Sequence, residues 1–96
     1  MRVTWTREAM KDLDEIELFI AQDNPERAVT FVDELIDFGE SLGDFPEKGT
    51  QAKWTTDQAI KEFFFKGYTF VYELFPDEVR IHEVHSFYKM MRHFNR

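Results

Sequence analysis

The chain has 96 residues, a formal net charge of −7, no cysteine, and an aromatic complement of 11 Phe, 3 Tyr and 2 Trp. That length fits one domain over residues 1–96. The missing thiols exclude a disulfide framework and a thiolate metal site, and the acidity excludes a generic nucleic-acid binder, whose affinity rests on cations facing phosphate.

Charge is unevenly spread. Residues 1–48 carry five Lys/Arg against thirteen Asp/Glu, whereas residues 49–96 carry seven against six. The closing octapeptide KMMRHFNR holds Lys89, Arg92 and Arg96 and no acid. Any contact with a polyanion is therefore expected there. No run approaches the ~20 apolar residues of a membrane-spanning helix. The opening MRVTWTREAM lacks the apolar core of a signal peptide. A cytoplasmic protein without membrane contact is the expectation.

In chain order, Arg2-Val3-Thr4-Trp5 is a short β-branched and aromatic run, an edge or joining strand. Thr6 is placed to cap a helix, with Glu8 in the first turn, where the helix dipole favours an acid. Ala9, Leu13, Ile16 and Ile20 recur at helical spacing, with Met10 and Phe19 flanking the stripe. Asn24-Pro25 ends this helix and caps a second, because proline at the first helical position gives up an N–H that had no partner. Ala28, Phe31, Val32, Leu35, Phe38 and Leu42 form its apolar face, and Gly43 suits a left-handed stop. So short a connection predicts an antiparallel helical hairpin. Residues 47–59 read as a polar connection with Trp54 as its buried member.

Three extended runs follow, cut by Lys66-Gly67 and by Pro76-Asp77-Glu78. Tyr68, Phe70, Tyr72 and Leu74 alternate along one face of the middle run. The order β-α-α-β-β-β predicts an α+β fold, with the helical hairpin packed on a small, mainly antiparallel sheet. Phe63-Phe64-Phe65 is expected in the core, since stacking platforms for bases come with interleaved Lys/Arg and only Lys66 is near. His82 and His85, three apart in a strand, are expected on opposite faces and so form no chelating pair. If residues 87–95 are helical, Lys89, Arg92 and His93 share one face. No cofactor and no metal are expected.

Taken together, the ordered features resemble the ParE/RelE toxin superfamily of type II toxin–antitoxin modules. The resemblance is carried by the opening strand and the Thr6-x-x-Ala9 helix start, Asp12-Leu13, Ile16 to Ile20, and Asp23-Asn24-Pro25 with Ala28. It continues through Phe31-Val32, Leu35, Leu42, Phe45-Pro46-Glu47, Gly49, Gly67-Tyr68, Val71-Tyr72 and Val84-His85. It implies a toxin neutralised by a partner antitoxin. RelE-like members cut messenger RNA in the ribosome, and ParE-like members poison DNA gyrase.

Three positions depart from the ribonuclease pattern. Thr69 and Tyr88 stand where an Arg is common, and Lys61 stands in place of a third. Phosphodiester cleavage needs positioned cations, and Lys lacks the bidentate fork of Arg. A ParE-like, gyrase-binding toxin is therefore the expectation, with Lys89, Arg92 and His93 contacting the target. The alternatives are a ribosome-dependent messenger-RNA endoribonuclease using Lys61, His85 and Tyr88, or a non-toxic member that only binds antitoxin. Because the helical half is acidic, the expected antitoxin segment is apolar and carries Lys or Arg, a reversal of the usual charge pairing.

Overall fold

The computed structural model describes residues 1–86, so the readings on Tyr88, Lys89, Arg92 and His93 lie outside the described residues. The elements are β1 (Arg2–Trp5), α1 (Arg7–Ala21), α2 (Pro25–Ser41), β2 (Thr50–Gln51), β3 (Ile60–Phe65), β4 (Tyr68–Phe75) and β5 (Glu78–Ser86). The strands form one sheet in the order β1-β5-β4-β3-β2. β1 runs parallel to β5, and the other neighbours are antiparallel. Two helices on a five-stranded mixed sheet make the expected α+β architecture. Among the described residues, no helix is long and apolar enough to cross a membrane.

Both helices start where side-chain chemistry dictates. The Thr6 hydroxyl accepts from Ala9 N at 3.1 Å, and Asn24 Oδ1 accepts from Arg27 N at 3.0 Å. Each bond satisfies an amide that the helix itself cannot pair. The apolar stripes then bury Ala9, Leu13 and Ile16 of α1 with Val32, Leu35 and Phe38 of α2 against Phe70 and Tyr72 of β4 and Val79, Ile81 and Val84 of β5.

Phe38 is the centre of that layer. Its ring stacks on Phe65 at 4.3 Å and Phe63 at 5.2 Å, and meets Phe70 edge-on at 4.9 Å between centroids. Each such aromatic pair adds about 0.5–1.5 kcal/mol to what area burial alone supplies. Phe64, between the two stacked rings, points the other way and is 60% exposed. Only two of the three consecutive phenylalanines are core residues, because strand alternation cannot place all three on one side.

Other details depart from the sequence reading. Lys66 (φ 51°) and Gly67 (φ 86°) take the left-handed conformations that a tight hairpin needs, but Gly43 does not. Gly43 matters for close approach instead: a Cβ there would lie 2.5 Å from the Met1 carbonyl oxygen. The 47–59 connection contains a further short strand, β2. Its buried residues are Gly49 and Ala52, whereas Trp54 is 53% exposed. Tyr72 explains how this connection is held. Its hydroxyl donates to Pro46 O at 3.0 Å and accepts from Gly49 N at 2.8 Å, which ties the segment after α2 to the middle strand.

Candidate functional site

The helices cover one side of the sheet, so the chemistry-bearing residues outside the core collect on the other. Phe70 and Tyr72 face the helices, and alternation turns Thr69, Val71, Glu73 and Phe75 of β4 outward. On β3 the outward set is Ile60, Glu62 and Phe64, which stand opposite Glu73, Val71 and Thr69.

β5 breaks its alternation once. Tyr72 stands opposite Ile81 but Val71 stands opposite Glu83, so His82 is an extra residue with no partner in the ladder. Such a bulge resets which residues point inward. Ile81 and Val84 are both buried against the helices, and His82, Glu83 and His85 all belong to the outer face. The two histidines therefore share a face, contrary to strict strand alternation. Each has its own carboxylate: His82 Nε2 lies 2.8 Å from Glu73 Oε1, and His85 Nε2 lies 3.2 Å from Glu83 Oε1. Among the described residues, no group of three or more His, Asp or Glu side chains is placed to hold a metal ion.

His85 stands opposite Thr69 across the ladder. Thr69 is fully buried, and neither its Oγ1 nor His85 Nδ1 has a hydrogen-bond partner among the described residues. Lys61 is elsewhere. It stands opposite Tyr72, hence on the helix side, where its ammonium is 3.2 Å from Glu47 Oε2 and its side chain is only 14% exposed. The structure does not bring Lys61 and His85 together, because they occupy opposite faces of the sheet.

Above the bulge the outer face holds a cleft of about 380 Å³. Thr6 and Glu8 at the start of α1 form one wall, Trp54 and Ile60 the opposite one, and Val71, His82 and Glu83 the floor. The Thr6 hydroxyl donates to His82 O at 3.0 Å, and its amide donates to Ile81 O at 3.0 Å. The residue that caps α1 thus also fixes the bulge. Trp54 is oriented by its indole N–H, which donates to Glu62 Oε2 at 3.2 Å. Sequence reasoning missed this grouping. Trp54 in a polar stretch was the one hint, and no spacing rule joins it to Glu8 and Glu83.

Further along the same face, Glu78 gathers the charges of the β1 edge. A hydrogen bond from the Thr4 hydroxyl, then the guanidinium groups of Arg80 and Arg2, hold its carboxyl well below the usual range, at about 2. On the helix side, Lys66 and Arg27 lower the pKa of Glu34, which each contacts at 2.6 Å. Burial pushes the Tyr72 hydroxyl up.

The family described as the ParE toxin of the type II toxin–antitoxin system parDE matches residues 3–87. The chain belongs to the ParE toxin family. Among solved structures, it is similar to one described as the chromosomal ParDE toxin–antitoxin system from P. aeruginosa. That match has 19% identity and a TM-score of 0.74, and covers 90% of this chain and 95% of that one. It is also similar to the conserved hypothetical protein HP0894 from Helicobacter pylori, solved in solution, with 17% identity and a TM-score of 0.55, covering 92% and 96% of the two chains. At these identities the likeness concerns the fold. A search of curated proteins finds no match to the sequence. On the outer sheet face of this ParE-family chain, each of the two histidines is paired with a carboxylate.

Proposed function

We propose that this ParE-family chain acts by binding and inhibiting DNA gyrase in the cytoplasm, and that a cognate antitoxin neutralises it. The supporting observation is the surroundings of His85. Among the described residues, its outer-face neighbours are Thr69 and Glu83, neither of them cationic, and Lys61 is turned to Glu47 on the other side of the sheet. Cleaving a phosphodiester requires cations aimed at the charge that develops on the phosphate, and a carboxylate in that position opposes it. A toxin that works by binding has no such requirement, and needs neither cofactor nor metal. The antitoxin follows from the family and from charge: residues 1–48 carry a net −8, which suits a partner segment combining apolar residues with Lys or Arg.

The purified chain is expected to inhibit gyrase supercoiling and to leave messenger RNA intact on translating ribosomes. Lys89→Glu with Arg92→Glu should abolish the inhibition without lowering the melting temperature. Ribosome-dependent cleavage that disappears in His85→Ala would replace this reading with the endoribonuclease. Neither gyrase inhibition nor ribosome-dependent cleavage, with antitoxin binding retained, would identify a non-toxic family member.

A further inference from the structure

The cleft above the β5 bulge combines three features. Its walls and floor include apolar side chains, Ile60 and Val71. An indole forms one side, and Trp54 keeps much of its surface exposed although its N–H is fixed on Glu62. Two carboxylates, Glu8 in a wall and Glu83 in the floor, line it, and no Lys or Arg is among the described residues that do. Arg7 and Lys53, the chain neighbours of Glu8 and Trp54, do not enter it.

We propose that this cleft takes an arginine side chain of the antitoxin, an assignment that rests on the antitoxin reading above. Apolar walls suit the methylene stem, which long cationic side chains bury while the head stays polar. The planar guanidinium can lie against an indole face and fork to a carboxylate at once, which an ammonium cannot do. Complementary charge speaks for the same occupant. The described residues carry nine Lys/Arg against nineteen Asp/Glu, so the field at the cleft attracts a cation and repels a phosphate. His82 is occupied by Glu73 and Thr6, so the floor is set before a partner arrives. A preset pocket of this kind can anchor an otherwise flexible segment, because less ordering is left to do on binding.

A probe that needs no antitoxin tests the cleft first. n-Butylguanidinium is titrated into the full chain while the Trp54 indole N–H and the His82 and Glu83 amides are followed by heteronuclear NMR. Saturable shifts at those groups, with a constant near millimolar, are expected for a ligand of this size. Glu8→Gln with Glu83→Gln should weaken binding about tenfold, and uncharged n-pentanol should bind the parent about tenfold more weakly than the cation. Equal binding of pentanol, or no shift at Trp54, overturns the proposal. The second arm measures affinity for the antitoxin encoded beside the toxin. The double variant and Trp54→Ala should each lose about tenfold or more, with spectra showing an intact fold. Unchanged antitoxin affinity in a variant that has lost butylguanidinium binding overturns the choice of occupant. An antitoxin that fails to bind the parent chain refutes the functional reading instead, and the butylguanidinium result stands apart from it.

Discussion

The two faces of the sheet are built by different rules. On the helix side, β4 presents Tyr68, Phe70, Tyr72 and Leu74, β3 presents Phe63 and Phe65 beyond Lys61, and the space is closed by rings: Phe38 against Phe63, Phe65 and Phe70. On the outer side, positions are set by charge pairs and one inserted residue, with His82 on Glu73, His85 on Glu83, and Glu78 among Thr4, Arg80 and Arg2. The helix side tolerates little change in volume, because close-packed interiors cannot relax around a void. Exposed positions of the outer side, such as Phe64, can change their chemistry without losing the fold. That contrast separates the residues that hold the fold from those that shape its outer surface.

The sharpest way to break the contrast is to remove Phe38. Phe38→Ala deletes the ring between Phe63 and Phe65 and should cost about 3–5 kcal/mol, read from denaturant midpoints at constant m. A loss below about 1 kcal/mol would mean that the stack does not organise the core. A smaller effect belongs to the outer face. The folded pKa of Glu78 lies below its unfolded value, so its contribution is fully present above about pH 4.5 and is lost as the pH falls through about 2. Denaturant midpoints of the parent and Glu78→Gln should therefore differ at about pH 6 and converge near pH 2. A gap that persists in acid would assign the effect to packing rather than to charge. The smallest effect is expected at Phe64, whose outward side chain should allow Phe64→Ser within about 0.5 kcal/mol. A cost comparable to that of Phe38→Ala would place a second core on the outer face.

The sequence disclosed the helix side because its signals are local. Thr6 and Asn24 announce the helix starts, the stripes from Ala9 and Ala28 have helical spacing, and Tyr68 to Leu74 alternate as a half-buried strand does. The outer face depends on register, which local patterns do not carry. A single residue inserted at His82 moves His85 to the same face as His82 and puts Glu83 beside Val71. Lys61 was legible as a cation but not as one facing Glu47, since that follows from its pairing with Tyr72. Trp54 was read as buried because large aromatics usually are, yet the two residues of β2 place Ala52 in the interior instead.

The parallel pairing of β1 with β5 has a consequence for how the chain is made. Arg2 lies beside Glu78, and Trp5 beside Ile81, so the edge strand must wait for a segment synthesised more than seventy residues later. The helical hairpin has only local contacts to form and can arise early, while β1 stays without a sheet to join until most of the chain has left the ribosome. The Thr6–His82 contact that fixes the bulge, and with it the cleft, shares this delay. The outer face is therefore among the last surfaces to be completed, and a partner that recognises it meets finished molecules rather than nascent ones.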